Sequence, residues 1–149
     1  ERPDDEWPLV LCTVREVGHY SCRSMTGNCA ALQSLADEPG RVQMNPADAE
    51  KLGISEGQLV WVRSRRGKVI TRASISERIN AGAVYMTYQW WIGACNELTQ
   101  DNLDPISKTP ETKYCAVQLE AIEDQRWAED FAASAYQSMK SRLINAVNV

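Results

Sequence analysis

Short apolar runs separated by polar turns make up most of the chain. Residues Pro8 to Val14 form an apolar run, which predicts a buried strand because it lacks polar alternation and is short for a helix. Apolar and polar residues alternate on both sides of Arg65-Arg66-Gly67, and this pattern predicts a β-hairpin. The strands expected from these patterns are 8–14, 58–64, 68–75, 83–88 and 114–122.

Three segments carry helix signals. Asn45-Pro46 is a typical helix start and Gly53 a typical stop, while a short helix over about 29–36 is expected to end before Pro39-Gly40. A four-residue apolar repeat predicts a longer amphipathic C-terminal helix, with Trp127, Phe131, Ala135, Met139, Leu143 and Val147 on one face. Many short strands with few helices favour a mixed β-barrel or sandwich with α additions.

The polar segment from Arg15 to Asn28 has neither strand nor helix periodicity, so it predicts a long loop. Long loops inside compact domains are commonly functional. This one contains two guanidinium groups, Arg15 and Arg23, together with His19 and several hydroxyls, a set that suits an oxyanion or phosphate ligand. The alternative is a solvated loop in which Arg15 pairs with Glu16 at the surface.

Two further groups of residues leave alternatives open. Tyr88-Gln-Trp-Trp91 begins an irregular segment that extends to residue 113, and its aromatic rings are either core or the wall of a mostly apolar pocket. The basic cluster from Arg63 to Lys68 lies at the predicted hairpin tip, where it forms either a solvated turn or a contact for a partner.

Charge and composition narrow the class of protein. The 149 residues carry a formal net charge of −4, which argues against a nucleic-acid-binding protein because phosphate-driven binding needs a basic face. The twelve acidic and twelve basic residues of the segment 7–120 balance, so a local anion site is compatible with the net charge. No apolar run is long enough to span a membrane, and no signal peptide is recognisable. We expect a soluble domain cut from a longer polypeptide.

The five cysteines do not have the spacing of a metal site. No two of them are two to four residues apart, and His19 is the only imidazole. We therefore expect reduced, mostly buried thiols in a cytoplasmic protein. The enzymatic alternative is a small hydrolase that uses His19 and Cys22 as base and nucleophile.

Three ordered segments resemble the C-terminal domain of the molybdenum formate dehydrogenases, especially the hydrogenase-linked bacterial type, within the dimethyl sulfoxide reductase superfamily. The segments are Thr13–Gly27, Tyr85–Thr99 and Asp104–Val117. The resemblance extends from about Asp4 to the C-terminal helix. Related nitrate reductases share a looser version of the same motifs.

This resemblance implies a fold and a ligand. The implied fold is mainly β, a six-stranded double-psi β-barrel with small helices and a C-terminal helix, and it caps a bis-molybdopterin guanine dinucleotide cofactor that holds molybdenum or tungsten. By their positions in the motifs, the implied cofactor-binding residues are Arg15, Glu16, His19, Tyr20, Ser21, Tyr88, Asn96 and Lys113. The cations Arg15 and Lys113 and the amide of Asn96 suit a pyrophosphate and a polar pterin.

The resemblance also implies a domain layout. Residues 1–7 are expected to be a linker from a preceding domain, 8–122 the cofactor-binding barrel, and 123–149 an amphipathic helix packed on it. The family's cysteine or selenocysteine metal ligand, substrate arginine and iron–sulfur motif do not occur in this sequence. We therefore assign no catalytic or metal-ligating residue, place the iron–sulfur cluster in an N-terminal part of the longer chain, and expect this segment alone to be inactive.

The implied activity is that of a cytoplasmic formate dehydrogenase, which oxidises formate to CO2 with two-electron transfer. Its expected partners are the remaining domains of the same chain and electron-transfer or hydrogenase subunits, with neither nucleic acid nor a membrane span. Two alternatives stay open at this point. One is the corresponding domain of a nitrate reductase or another molybdenum or tungsten oxidoreductase, and the other is a stand-alone cofactor-binding or assembly module.

Overall fold

Six strands form a closed barrel in the computed structural model, which describes the backbone of residues 1–147 and the side chains of residues 1–145. The strands are β1 (Leu9–Val14), β2 (Arg41–Met44), β3 (Leu59–Arg63), β4 (Lys68–Ile75), β5 (Ala83–Thr87) and β6 (Tyr114–Ala121). Their order around the barrel is β1-β5-β2-β4-β3-β6. The closed six-stranded barrel implied by the resemblance is therefore confirmed, as are the five strands predicted from the hydrophobic pattern.

One strand, β2, was not among those predicted from the pattern. It is only four residues long, and Val42 and Met44 point inward while Arg41 and Gln43 are exposed. Four residues give too few alternations to stand out between Gly40 and the helix signal at Asn45. The strand pairs parallel to β4 and antiparallel to β5, so the barrel closes only because β2 is present.

The directions of three strands bring three loops to one end of the barrel. β1 runs parallel to β5, with Val14 opposite Thr87, so the segments that follow these two strands leave the barrel side by side. β6 runs antiparallel to β1, with Cys12 opposite Tyr114, so the segment that precedes β6 reaches the same place. We call this the loop end of the barrel: the end where β1 and β5 finish and β6 begins.

The interior of the barrel is filled by aliphatic side chains from all six strands. Leu11, Val42, Val60, Val84 and Val117 are completely buried, each from a different strand. Burying a side chain of this size contributes about 1.5–3 kcal/mol, so these layers account for a large part of the stability of the fold. The barrel has a core of its own.

Two short helices connect the strands. α1 (Ala30–Gln33) is shorter than the helix expected over 29–36, because no side chain caps it and none of its residues is buried. α2 (Pro46–Leu52) has the predicted signals: the Asn45 side chain accepts from Ala47 N at 2.9 Å, and Gly53 ends the helix with φ +64°.

The long C-terminal helix α3 (Gln125–Val147) packs on the barrel through its first half. Ala128 and Ala132 are buried, and the rings of Trp127 and Phe131 stack 5.1 Å apart. The predicted apolar stripe is only partly covered along its length, since Trp127 at its start is 46% exposed and Leu143 is 48% exposed. The stripe's last member, Val147, and residues 148–149 lie outside the described side chains.

The acidic segment 1–7 lies against the tip of the β3–β4 hairpin. The Glu1 carboxylate accepts from Arg65 Nη1 at 2.7 Å and from Arg66 Nη2 at 2.6 Å, and Asp4 pairs with Arg65. Trp7 is 9% exposed. Two cations of the hairpin-tip cluster are therefore neutralised by this segment.

Acid should weaken this contact through Glu1. The hydrogen bond from Arg66 lowers the pKa of Glu1 from its ordinary 4.5 to about 2. A carboxyl group with a lowered pKa in the folded state stabilises the fold above pH 4.5, and this contribution disappears as the pH falls from 4.5 towards 2. Because solvent screens the pair, we expect a loss of about 1 kcal/mol.

Urea unfolding at pH 7 and pH 3 measures this loss. Glu1→Gln should reduce the difference in unfolding free energy between the two pH values by about 1 kcal/mol. The matched control is Glu120→Gln, which breaks the exposed Arg63–Glu120 pair and should leave the difference unchanged. An unaltered pH dependence in Glu1→Gln would contradict the assignment.

Candidate functional site

Arg15, Tyr20 and Tyr88 meet at the loop end of the barrel. Arg15 Nε donates to the Tyr88 hydroxyl at 3.0 Å. The guanidinium carbon lies 5.8 Å from the centroid of the Tyr20 ring and 5.9 Å from that of the Tyr88 ring, within range of cation–π attraction. Three of the predicted residues thus form one cluster, with a cation held between two aromatic rings.

The topology explains why residues so far apart in sequence meet here. Arg15 and Tyr88 directly follow Val14 and Thr87, which are partners in the parallel pair β1–β5. Lys113 precedes β6, and its carbonyl accepts from Thr13 N at 2.9 Å. The loop end therefore brings a second exposed cation, Lys113, to the side of the barrel where Arg15 lies.

The Arg15 guanidinium has no acidic counterpart in the part of the chain that the structure describes. The surface pair with Glu16, considered from the sequence, does not form. Arg15 is exposed, so its two terminal nitrogens are in a position to donate to an anion. Arg23, which was expected to offer donors to the same ligand, is buried and paired instead with Asp37 and Glu38. That expectation was wrong for Arg23.

His19 is a buried, internally bonded residue. Its Nε2 lies 2.8 Å from the Ala36 carbonyl oxygen, which can only accept, so Nε2 carries the proton. Its Nδ1 lies 3.0 Å from Thr26 Oγ1. Neither nitrogen contacts Cys22, so the structure does not form the base–nucleophile pair that a cysteine hydrolase requires. The ring stiffens the loop, and direct contact of His19 with a cofactor stays a prediction.

The remaining predicted residues line the same loops. The Glu16 carbonyl accepts from Gln89 Nε2 at 3.5 Å, which ties the first loop to the segment after β5. Ser21 is half-buried and has φ +45°, a left-handed conformation that strains a residue other than glycine. Asn96 is exposed in the 3₁₀ turn Cys95–Glu97. That turn lies beside the hairpin tip, because Arg66 Nε donates to Leu98 O at 2.8 Å.

A comparison with known families identifies the domain. Residues 9–116 match the family model described as "Molydopterin dinucleotide binding domain". The match covers more than half of the chain and includes all eight predicted contact residues. The chain belongs to the molybdopterin dinucleotide-binding domain family.

The relatives of this molybdopterin dinucleotide-binding domain are parts of larger proteins. It is 66% identical over 142 residues to "Formate dehydrogenase H" of Escherichia coli (strain K12), covering 95% of this chain and 20% of that protein. It is 42% identical over 119 residues to "F420-dependent formate dehydrogenase 2 subunit alpha" of Methanococcus maripaludis, covering 80% of this chain and 18% of the relative. The chain thus spans about a fifth of the length of these curated relatives.

A solved structure supports the fold alone. The domain superimposes on acetylene hydratase from Pelobacter acetylenicus with a TM-score of 0.65 and 19% sequence identity, over 78% of this chain and 18% of that chain.

One cavity of the molybdopterin dinucleotide-binding domain lies away from Arg15, Tyr20 and Tyr88. It has a volume of about 510 Å³ and is lined by residues that include Leu9, Leu52, Gly82 and Leu119. Leu9 and Gly82 lie where β1 and β5 begin, opposite the loop end. This cavity contains none of the predicted contact residues.

Two further observations bear on the chemistry of the domain. In residues 1–145, no group of three or more His, Cys, Asp or Glu side chains is arranged to hold a metal ion. None of the helices in the described residues is long and apolar enough to cross a membrane.

The cysteines are free and differ in burial. Cys95 and Cys115 are buried, whereas Cys22 and Cys29 are exposed and Cys12 is intermediate. The expectation of mostly buried thiols was therefore wrong, because the loop and the short α1 region that carry Cys22 and Cys29 have no element packed over them.

Sequence reasoning missed two residues of the site region. Glu38 and Gln89 are almost fully buried between the first loop and the segment after β5. Neither stands in a recognisable spacing to Arg15, and Glu38 looks like an ordinary acidic turn residue before Pro39-Gly40. Only the folded chain brings them to the site.

Proposed function

We propose that this domain binds a bis-molybdopterin guanine dinucleotide cofactor and is the C-terminal cap of a formate dehydrogenase, which oxidises formate to CO2 and releases two electrons. The high identity to Formate dehydrogenase H supports the formate dehydrogenase type. We further propose that the chain's partners are the remaining domains of the longer protein, that those domains hold the iron–sulfur cluster, and that the cofactor holds molybdenum or tungsten in a cytoplasmic enzyme.

The observation that carries the proposal is the Arg15 guanidinium at the loop end, which pairs with no acidic side chain in residues 1–145. Its Nε is committed to the Tyr88 hydroxyl at 3.0 Å, which fixes the side chain and leaves the terminal nitrogens for a ligand. A guanidinium fork matches the oxygens of a pyrophosphate and stays charged at every relevant pH. Lys113 adds a second exposed cation at the same end.

A buried acceptor beside this cluster also fits the cofactor. Gln89 is 1% exposed, and its Oε1 has no hydrogen-bond partner among the described residues. Leaving a buried acceptor unpaired costs about 1–3 kcal/mol. Guanine and pterin rings both carry N–H donors, so a bound dinucleotide offers a partner of the type that Gln89 lacks. The donor and acceptor set of the loop end therefore suits this group.

The bound cofactor supplies the metal centre at which formate loses two electrons. The residues of this chain hold the dinucleotide: Arg15 and Lys113 neutralise its phosphates, and Tyr20 and Tyr88 keep the Arg15 fork in place. The amide of Asn96 both donates and accepts, so it suits the polar edge of a ring. None of these side chains takes part in the redox step.

Replacement of Arg15 in the full-length protein that carries this domain tests the proposal. Arg15→Ala should lower the amount of cofactor retained after desalting by about tenfold or more, because it removes charged hydrogen bonds to a phosphate. Arg15→Lys should retain an amount of cofactor between those of Arg15→Ala and the unaltered protein, since lysine keeps the charge but lacks the guanidinium fork. Guanosine monophosphate released by acid hydrolysis and metal bound per chain measure the retention, and formate-dependent viologen reduction measures activity.

The matched control is Arg78→Ala, which removes an exposed arginine from the connection between β4 and β5, away from the loop end. It should retain cofactor like the unaltered protein. Equal retention in Arg15→Ala and Arg78→Ala would refute the proposed site.

A further inference from the structure

Arg23 makes an unusually complete set of contacts for a loop residue. Its side chain is 4% exposed, and its backbone takes the left-handed conformation, with φ +62°. Nε donates to Gln89 O at 3.0 Å, and Nη1 lies 3.3 Å from both Gln33 Oε1 and Asp37 Oδ1. Nη2 pairs with Glu38 Oε1. These contacts use four of the five N–H donors of the guanidinium, which is buried away from solvent.

Glu38 extends the same network to the segment after β5. Its side chain is 5% exposed, and it accepts from Trp91 N at 2.7 Å through Oε1 and from Ile92 N at 3.0 Å through Oε2. Burial raises the pKa of Glu38 above its ordinary value, against the opposing effect of these donors and of Arg23. Each carboxylate oxygen of Glu38 therefore accepts from one backbone nitrogen of this segment.

Trp90 completes the arrangement. The Arg23 guanidinium carbon lies 4.6 Å from the Trp90 ring centroid, and the His19 ring meets Trp90 edge-on at 5.6 Å. Trp90 occupies the space that a Cβ on Gly40 would fill, since that atom would lie 2.0 Å from Trp90 Nε1. We call Arg23, Glu38 and Trp90 the clamp. It joins the loop 15–28, the turn 37–40 and the segment 88–92.

The clamp and the Arg15 cluster share two of these segments. Arg15 belongs to the loop that Arg23 anchors, and Tyr88 directly precedes Gln89, whose carbonyl Arg23 holds. The 3.0 Å bond between Arg15 and Tyr88 therefore depends on how the loop 15–28 sits against the segment 88–92.

We propose that Arg23 is a positioning residue for dinucleotide binding: through Glu38 and the Gln89 carbonyl it sets the loop 15–28 against the segment 88–92, so that Arg15 and Tyr88 meet the cofactor in a fixed geometry. This role rests on the proposed function. Arg23 itself does not touch the cofactor.

The test uses Arg23→Lys in the full-length protein that carries this domain. Lysine keeps the charge, but it lacks the planar fork that reaches the Gln89 carbonyl and Glu38 at once. Loss of a partner that orients a metal ligand typically costs ten- to hundredfold in affinity, and by the same reasoning cofactor dissociation should become at least about tenfold faster in Arg23→Lys. Release of guanine nucleotide over time after desalting measures the rate, and the thermal midpoint of the cofactor-free protein measures stability.

If Arg23 only stabilised the fold, Arg23→Lys would change cofactor dissociation only as far as it lowers the stability of the domain. The matched control is Val60→Ala, which leaves a cavity in the barrel core on β3, away from the clamp. If Arg23→Lys loses cofactor no faster than Val60→Ala at a comparable fall in thermal midpoint, the positioning role is wrong. Should Arg23→Lys fail to fold, Glu38→Gln serves instead. The amide nitrogen of the glutamine would face one of the two backbone donors, Trp91 N or Ile92 N, and that hydrogen bond would be lost.

A double-mutant cycle separates this proposal from the proposed function. Because Arg23 is proposed to act through Arg15 and Tyr88 together, Arg23→Lys should speed cofactor loss by a smaller factor in the Arg15→Ala background than in the unaltered protein. Multiplicative effects of the two changes would overturn the positioning role while leaving the proposed function intact. No effect of Arg15→Ala by itself would overturn the proposed function and the positioning role with it.

Discussion

Gly93→Ala should destabilise the domain by about 3 kcal/mol, since overpacking of this kind in a tight interior costs up to that amount or more. A Cβ at Gly93 would lie 1.9 Å from the Pro39 carbonyl oxygen and 3.3 Å from that of Ile70. Both neighbours are backbone atoms, so neither can move away by a change of rotamer. The thermal midpoint of a chain of this size should fall by about 6–12 °C, which differential scanning calorimetry measures.

Gly67→Ala is the matched control. Gly67 also lies at the loop end, in the β3–β4 turn, but a Cβ there would meet only Glu97 O at an ordinary 3.4 Å. Its stability should stay within about 1 kcal/mol of the unaltered domain. Equal thermal midpoints for the two variants would show that the turn 37–40 is not closely packed against Gly93.

The Gly93 contact has a functional consequence. The same turn carries Glu38, which accepts from the backbone nitrogens of Trp91 and Ile92. Displacing Pro39 from Gly93 would pull this carboxylate from its donors and loosen the segment that follows Tyr88. We therefore expect Gly93→Ala to weaken cofactor retention as well as stability.

The parts of the fold that follow local rules could be predicted from the sequence. The β3–β4 hairpin follows from alternating residues around a tight turn, and its register pairs Arg63 with Lys68 as a short connection demands. α2 follows from a side-chain cap and a left-handed glycine, Asn45 and Gly53. Each signal lies within a few residues of the element that it specifies.

The parts that depend on distant contacts could not be predicted in this way. The four residues of β2 form a strand because they pair with β4 on one side and β5 on the other. Their alternation of apolar and polar residues is too short to predict a strand. The clamp depends on Arg23 meeting Glu38 and the Gln89 carbonyl, a separation of 66 residues in the second case. Nothing near Arg23 in the sequence distinguishes it from the exposed Arg15.

The sequence predicted which residues form the cluster at the candidate site, but it did not predict how they are arranged. Motif positions named Arg15, Tyr20 and Tyr88, and the parallel pairing of β1 with β5 accounts for their contact. The structure distinguishes the two loop arginines: Arg15 is exposed and pairs with no acid in residues 1–145, whereas Arg23 is buried and pairs with Asp37 and Glu38. Composition alone had given both the same role.

The buried and the exposed cysteines should react at very different rates when the native domain is alkylated. Cys95 and Cys115 are fully buried, and burial raises their pKa values to about 12 and about 11. At pH 8 only about one Cys95 thiol in 10⁴ is ionised, and the reagent reaches it only when the barrel opens. Cys22 and Cys29 are exposed, so iodoacetamide should modify them at least about 10³ times faster.

Peptide mass spectrometry of timed samples gives the rate at each cysteine, and concentrated urea gives the unfolded reference, in which the rates should converge. Cys22→Ser is the control, since it removes one fast site and should leave Cys95 unchanged. Modification of Cys95 as fast as Cys22 in the native domain would show that the barrel interior is open to solvent, and the closed core on which the loop end depends would then be wrong.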